Sequence, residues 1–146
     1  VILASIVEKE TGGIKDDDLV AGVFINRLNR GMRLESDPTI IYGISKGERL
    51  TRVVNGEEVQ RGIYLSEKNR ETPYNTYFIA GLPPTPICNP SAAALRAVLQ
   101  PAESEYLFFV ADGTGGHAFS PTYAEHLRNV AKWRRIERDR REANGG

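Results

Sequence analysis

Residues 1–13 read VILASIVEKETGG, and this stretch decides how the fold begins. Its aliphatic residues recur three and four positions apart, which is the spacing of one face of an α-helix. The sequence therefore predicts a helix that packs this face into the core and ends at the two glycines. The residues on the predicted core face are Ile2, Leu3, Ile6 and Val7.

Glu10 lies at the predicted C-terminal end of this helix. A helix carries partial negative charge at that end, and packing nearby removes water from the side chain, so both effects favour the protonated form of the carboxyl group. A proton donor that works near neutral pH needs this bias. The alternative is that Glu8 and Glu10 are ordinary solvated acids in a last helical turn.

Length and charge limit the class of protein. The chain has 146 residues, which fits one domain over residues 1–146, and its 19 Lys and Arg balance 19 Asp and Glu. No overall field therefore draws it to nucleic acid or anionic lipid, and a neutral or carbohydrate partner fits better. The single cysteine, Cys88, cannot form an internal disulfide, lacks a cluster of metal ligands in the sequence, and is predicted to be a small buried residue.

Two further helices are predicted in the first third of the chain. Asp16, Asp17 and Asp18 are N-cap candidates for a helix that follows them and keeps helical spacing of apolar residues to Leu28. The pair Asp37-Pro38 predicts the start of a brief helix over residues 39–42, which Gly43 would end.

The predicted fold class is α+β, a helical body with a small antiparallel sheet. Residues 106–110 are aromatic and β-branched and predict a strand, and residues 117–119 could return beside it after a glycine-rich turn. Asn55-Gly56 predicts a type I′ hairpin that forms a small exposed arm and could add to this sheet.

The second half also contains a long loop and two predicted helices. Residues 72–90 are rich in proline and aromatic residues, so they predict an ordered loop, and such loops are often functional. A helix is predicted over residues 91–99, and a long one is predicted from Ser120-Pro121 through Ile136. The mixed charges of residues 134–142 predict a solvated face or a tail.

Candidate chemistry outside the first helix is less specific. No nucleophile elbow or phosphate-binding glycine motif is present. His117 could be a ligand, a groove residue that forms hydrogen bonds, or a structural imidazole, and Asp37 fits a helix cap better than a catalyst. The aromatic, amide and hydroxyl groups of residues 74–77 suit sugar rings, although a buried aromatic loop would look similar.

Several segments taken together resemble the MltG (YceG-like) endolytic murein transglycosylases. They are ASIVEKET (4–11), VFINRL (23–28), SDPT (36–39), YNTY (74–77), GLPP (81–84) and GGH (115–117), in the same order over nearly the whole chain. The resemblance implies an enzyme that cleaves the MurNAc–GlcNAc β-1,4 bond of nascent peptidoglycan and leaves a 1,6-anhydro-MurNAc end. It also implies a lysozyme-like active-site helix that ends at the catalytic acid.

The resemblance assigns the catalytic acid to Glu10, which would act first as general acid and then as base. Two residues depart from the family pattern: Glu35 stands where glutamine is common, and Ser91 stands where glycine is frequent. A carboxylate at Glu35 could stabilise positive charge in a groove or repel a charged substrate. The expected substrate-binding residues are Glu35, Asp37, Tyr74, Asn75, Thr76, Tyr77 and His117.

The resemblance also implies partners and a location. The expected partners are peptidoglycan glycan strands and peptidoglycan synthases, with no nucleic acid, no metal and no cofactor. The expected setting is the bacterial cell envelope, where the parent protein would be anchored in the inner membrane and carry an upstream LysM-like domain that residues 1–146 lack.

Two alternatives belong to other functional classes. The first is a non-catalytic peptidoglycan-binding module, in which Glu10 would be a polar groove residue. The second is a pyridoxal-phosphate-dependent lyase of small molecules, for which Lys9 or Lys15 would have to serve although no phosphate-binding motif accompanies either.

Overall fold

The computed structural model describes residues 1–13 and 15–145, and these form six α-helices and two separate two-stranded antiparallel sheets. The α+β class is therefore confirmed. The elements in chain order are α1 (Ile2–Thr11), α2 (Asp17–Asn29), α3 (Asp37–Ser45), β1 (Thr51–Val54), β2 (Glu57–Gln60), α4 (Leu65–Lys68), α5 (Ala92–Leu99), β3 (Phe108–Ala111), β4 (His117–Ser120) and α6 (Tyr123–Ala143).

Helix α1 lies at the centre of the hydrophobic core, as its spacing predicts. Leu3, Ile6 and Val7 are buried and pack with α2 and α5 in one cluster, and burying such a side chain stabilises a fold by about 1.5–3 kcal/mol. The helix ends at Gly12, which adopts a left-handed conformation with φ at 64° and donates its N–H to the Glu8 carbonyl. Glu10 is thereby fixed in the last turn.

Helix α2 packs closely against the chain that follows α5. A Cβ at Gly22 would lie 2.6 Å from the Ala102 carbonyl oxygen, so a side chain at this position would force the two segments apart. The N–H of Ala102 also donates to the Asp18 carbonyl at 3.1 Å. The core therefore depends on glycine here for close approach of backbones.

The predicted N-cap of α2 is confirmed at Asp16, but the predicted bounds of α3 and α6 are wrong. Asp16 makes no side-chain capping bond, because its carboxylate accepts the His117 N–H instead. Helix α3 continues past Gly43 to Ser45, so this glycine does not end the helix. It instead leaves room for Thr72, whose Oγ1 would lie 2.3 Å from an added Cβ. Helix α6 begins at Tyr123, later than expected.

The hairpin and the second sheet are confirmed, but they do not join. Asn55 and Gly56 have φ values of 52° and 80°, as a type I′ turn requires, and Val53 on the arm is 69% exposed. In the other sheet Phe109 pairs with Phe119. The short helix α4 was not predicted, whereas residues 69–91 contain no helix or strand, in line with the predicted loop.

The longest helix, α6, has no buried residue and packs against β3 and β4. Its N-cap is Thr122, whose hydroxyl accepts the Glu125 N–H. No helix in the described part of the chain is long and apolar enough to cross a membrane.

Candidate active site

Glu10 opens into a cleft of about 280 Å³, which is called the acid cleft below. Helix α2, the segment before α3 and the loop at Tyr77 contribute polar and apolar groups, and β3 and α6 contribute mostly aromatic and aliphatic groups. The lining residues are Glu10, Phe24, Arg27, Leu34, Glu35, Asp37, Tyr77, Phe108, Phe109, Val110, Tyr123, His126 and Val130.

The surroundings of Glu10 raise the pKa of its carboxyl group to about 7. Burial is the largest cause, since it disfavours the charged form, and the negative charge of Asp37 acts in the same direction. The hydrogen bond from Ser36 and the charge of Arg27 oppose this rise and favour the carboxylate. The predicted direction is confirmed, and the solvated-acid reading is wrong for Glu10.

Ser36 is the hydrogen-bond partner that orients Glu10. Its hydroxyl donates to Glu10 Oε1 at 2.6 Å, and the residue is only 1% exposed. Its N–H donates to the Thr76 hydroxyl at 2.8 Å, and its carbonyl accepts the Thr39 hydroxyl at 2.6 Å. The two threonine hydroxyls lie 2.8 Å apart, so they hold the Ser36 backbone in a buried network. Sequence analysis missed this role, although Ser36 directly precedes the Asp37-Pro38 helix start.

Arg27 connects three segments of chain behind the acid cleft. It is buried, and its guanidinium donates to the carbonyls of Leu107 at 2.7 Å, Arg33 at 3.0 Å and Leu34 at 3.2 Å. Burial lowers the pKa of Arg27, while the nearby acids raise it. Sequence analysis missed this residue as well. The signal was an arginine three positions after Phe24, on the buried face of α2.

Asp37 is not the helix cap that its position suggested. Ser36 is the N-cap residue of α3, and Asp37 Oδ1 instead accepts the Tyr77 hydroxyl at 2.8 Å. Burial raises the pKa of Tyr77 above its usual range, as does the charge of Asp37, so the phenol stays a donor. Asp37 itself is exposed at the edge of the acid cleft.

Glu35 is exposed in the acid cleft with φ at 52°, a left-handed conformation. Its Oε2 lies 3.9 Å from Arg27 Nη1, and its side chain is half exposed. Such a pair contributes little to stability. Glu35 is therefore an additional carboxylate at the surface of the acid cleft.

The loop residues Asn75 and Thr76 require a correction, because the structure does not bring either side chain to a cleft surface. Asn75 is 1% exposed, and its amide donates to the carbonyls of Lys68 at 3.0 Å and Arg70 at 2.9 Å. Asn75 Oδ1 accepts the Tyr77 N–H at 2.9 Å, and Thr76 binds Ser36. Both residues hold the loop that presents Tyr77.

Tyr74 and His117 also lie outside the acid cleft. The Tyr74 hydroxyl is 2.8 Å from the Thr85 hydroxyl, and its ring packs edge-on against Tyr42. The His117 N–H and Nδ1 lie 3.0 and 3.3 Å from Asp16 Oδ2. Of the three interpretations of His117, the structural imidazole fits this geometry.

Aromatic side chains from β3 and α6 form an apolar surface in the acid cleft. The His126 ring stacks on Phe108 with centroids 5.1 Å apart, and Tyr123 lies 5.7 Å from the same ring. Burial lowers the pKa of His126, and the charge of Arg27 acts in the same direction, so both favour the neutral imidazole. Sequence analysis did not select these residues, although Tyr123, His126 and Val130 recur at helical spacing. A neutral aromatic surface of this kind suits the apolar faces of sugar rings.

The acid cleft thus combines one protonatable carboxyl group with two further acids and an aromatic surface. At neutral pH Glu10 is divided between its acid and base forms, so it can both donate and accept a proton. The Asp37 carboxylate supplies negative charge beside it. This arrangement fits acid-assisted cleavage of a bond whose transition state develops positive charge.

Comparison with known proteins gives one consistent result. The model of the YceG-like family matches residues 1–132. Endolytic murein transglycosylases are similar to this chain: the protein of Streptococcus pneumoniae serotype 2 is 39% identical over 131 residues, and that of Bacillus subtilis is 34% identical over 131 residues. These alignments cover 89% and 90% of this chain but only 22% and 33% of the relatives. The chain therefore spans a fifth to a third of their length.

A solved structure is also similar. A crystal structure of a yceG-like protein from Listeria monocytogenes aligns with a TM-score of 0.73 and 37% sequence identity. The alignment covers 86% of this chain and 38% of that one. The similarity in fold thus extends over most of the elements described above.

Proposed function

The chain belongs to the YceG-like family, and from that premise we propose that it is an endolytic peptidoglycan lytic transglycosylase. Its substrate would be the glycan strand of murein, cut at the MurNAc–GlcNAc β-1,4 bond to leave a 1,6-anhydro-MurNAc end. The relatives named endolytic murein transglycosylase support this activity. Because the chain spans a minor part of each relative, the activity of this chain is a proposal.

The observation that carries the proposal is the position of Glu10. Its carboxyl group opens into the acid cleft with its pKa raised to about 7, and Ser36 holds one of its oxygens at 2.6 Å. A non-catalytic binding module has no need of such a group, since a protonatable carboxyl group in a cleft is a feature of general acid–base catalysis.

In the proposed first step, protonated Glu10 donates its proton to the oxygen of the glycosidic bond. The bond from C1 to that oxygen breaks, and the leaving sugar keeps both the electron pair and the proton. Positive charge develops on the ring that remains. The Asp37 carboxylate, which lies at the edge of the cleft and accepts the Tyr77 hydroxyl, would stabilise that charge.

In the second step, Glu10 is a carboxylate and acts as base. It removes the proton from the C6 hydroxyl of the same sugar as the C6 oxygen bonds to C1. Glu10 ends protonated, and no water is consumed. The hydrogen bond from Ser36 and the charge of Arg27 both favour the carboxylate, so they support this half of the cycle.

The rival mechanism is two-acid hydrolysis, in which Asp37 or Glu35 would activate water. Mass spectrometry of digested murein separates the two, because the anhydro product is lighter than the hydrolysis product by one water. We expect anhydro ends only. Reducing-end MurNAc as the main product would contradict the single-acid mechanism. Murein that stays intact after prolonged incubation would contradict the proposed enzymatic activity.

The site supports proposals about setting as well. A murein substrate implies a cell-wall-related location, and we propose a membrane-anchored parent in the cell envelope, with peptidoglycan synthases as partners. Fractionation of cells that express the tagged parent protein tests the location. Recovery of the parent in the soluble cytoplasmic fraction would contradict the proposed anchor.

A further inference from the structure

A second cleft of about 900 Å³ borders the acid cleft and shares Asp37 with it. Helix α3, the end of the β1–β2 arm and the segment that leads into α4 form most of its wall. Its aliphatic floor includes Leu50 and Ile87, which are 8% and 5% exposed. A chain that crosses the acid cleft past Asp37 would therefore meet this second cleft next.

Basic side chains outnumber acidic ones around the second cleft, where the acids are Asp37 and Glu48. Lys9, Arg49 and Lys68 are exposed there, and none of them is in an ion pair among the described residues. A fourth cation, Arg61, is already neutralised by Glu67 at 2.6 Å. Three unpaired cations therefore face this cleft.

The two clefts differ in the ligand chemistry that they suit. The acid cleft presents the aromatic surface of Phe108 and Tyr123, which suits neutral sugar rings. The second cleft presents one aromatic residue, Tyr42, beside aliphatic side chains, and its unpaired cations outnumber its two acids. Aliphatic contacts together with cations suit a short peptide that carries small apolar side chains and carboxylates. The excess of cations over acids thus favours an anionic peptide over a neutral glycan in the second cleft.

We propose that the second cleft binds the acidic peptide carried by a muramyl residue of the strand whose sugars lie in the acid cleft. This inference rests on the proposed function, because it takes murein as the substrate. Lys9 and Arg49 would pair with peptide carboxylates, and the aliphatic floor would contact the small side chains. The site would thereby select strands that still carry their peptides.

The test compares two forms of one oligosaccharide of alternating GlcNAc and MurNAc, with its peptides and after an amidase has removed them. The kcat/KM for each form is measured for the parent chain and for a Lys9→Gln/Arg49→Gln variant. Arg52→Gln is the matched control, since Arg52 is an exposed cation of the same arm that lines neither cleft. Dissociation constants measured in the Glu10→Gln background give a readout that does not need cleavage.

We expect the parent chain to prefer the peptide-bearing strand and the double variant to reduce that preference about tenfold, because each partly exposed ion pair contributes a factor of up to about five. Arg52→Gln should keep the preference, and added salt should weaken it. Equal kcat/KM for both strands, or a preference that survives the double variant, would overturn the inference and leave the proposed function intact. Failure to cleave either strand would overturn the proposed function, while the dissociation constants would still decide the inference.

Discussion

Glu8 and Glu10 lie two residues apart at the end of α1, yet their surroundings differ in burial and in hydrogen bonding and shift the pKa values of the two carboxyl groups in opposite directions. Glu8 Oε1 accepts the Ser91 N–H at 2.7 Å beside the N-terminus of α5, and hydrogen bonds from the Ser91 side chain and backbone lower the pKa of Glu8. Glu10 lies in the acid cleft, where burial raises its pKa to about 7.

The difference follows from helix geometry. Positions i and i+2 of an α-helix are about 200° apart around its axis. The side chains of Glu8 and Glu10 therefore point to nearly opposite sides of α1. One side faces the partial positive charge of a helix N-terminus, which stabilises an anion, and the other faces a site that removes water. The same residue type therefore supports folding at one position and chemistry at the other.

The largest expected effect comes from removing each acid in turn. Glu10→Gln should lower kcat on murein by about 10²–10⁴, because the proton donor is lost while the shape is kept. Glu8→Gln, the matched control on the same turn, should keep kcat within about threefold, since its partner is a backbone N–H outside the acid cleft. Release of soluble muropeptides measures both. Equal losses of kcat in the two variants would contradict the proposed difference between Glu8 and Glu10.

The second effect is on stability, and its sign follows from the raised pKa of Glu10. Between about pH 4.5 and 7 the folded chain holds a proton on Glu10 that the unfolded chain has lost, so Glu10 makes the free energy of unfolding fall as pH rises. Glu10→Gln should therefore be more stable than the parent at pH 8 by on the order of 2 kcal/mol, and about equally stable at pH 5.

Urea unfolding of both chains at the two pH values measures this difference. A parent chain that gains stability relative to Glu10→Gln on going from pH 5 to pH 8 would contradict a raised pKa. Glu8→Gln in the same series shows that the effect belongs to the acid cleft and is not a property of the whole helix end.

A third prediction concerns Ser36, which holds Glu10 in place. Ser36→Ala should lower kcat/KM about tenfold. The hydrogen bond to Glu10 is expected to stabilise the transition state by roughly 1.4 kcal/mol, and that free energy corresponds to a factor of about ten in rate. It should also move the alkaline limb of the pH profile upward, since the Ser36 hydroxyl favours the carboxylate form. Ser45→Ala is the control at the other end of α3, where the hydroxyl bonds the Ile41 and Glu48 carbonyls. An unshifted limb in Ser36→Ala would show that the hydroxyl does not tune Glu10.

Features set by local chemistry were predictable from the sequence. The spacing of Leu3, Ile6 and Val7 predicted the buried face of α1, and Asn55-Gly56 predicted the hairpin, because each depends on residues next to it in the chain. These two predictions needed no knowledge of distant contacts. The direction of the pKa shift of Glu10 was also predicted, but its largest cause is burial in the acid cleft, which distant segments of the chain help to form.

Features that depend on long-range contacts were missed. The bonds of Arg27 to Leu107 and of Ser36 to Thr76 join residues far apart in the chain, and no local pattern reveals them. Asn75 was predicted to bind sugar because its side chain is polar, but the fold uses that amide to satisfy buried backbone carbonyls. The polarity of the Asn75 side chain indicated that it has a polar partner, but it could not show whether that partner is a sugar or the backbone.

The smallest expected effect is that of Glu8→Gln on stability, and its sign is opposite to that of Glu10→Gln. Because the pKa of Glu8 is lowered by Ser91, its contribution to stability is present above the unfolded-state pKa of about 4.5 and is lost as pH falls through the folded-state value. Glu8→Gln should cost about 0.5–1 kcal/mol at pH 7, the range for an exposed anion at a helix N-terminus with solvent screening, and less in acid. Urea unfolding at pH 7 and pH 3 measures it. If Glu8→Gln and Glu10→Gln shifted stability in the same direction at pH 8, the environments of the two carboxyl groups would not differ as the structure indicates.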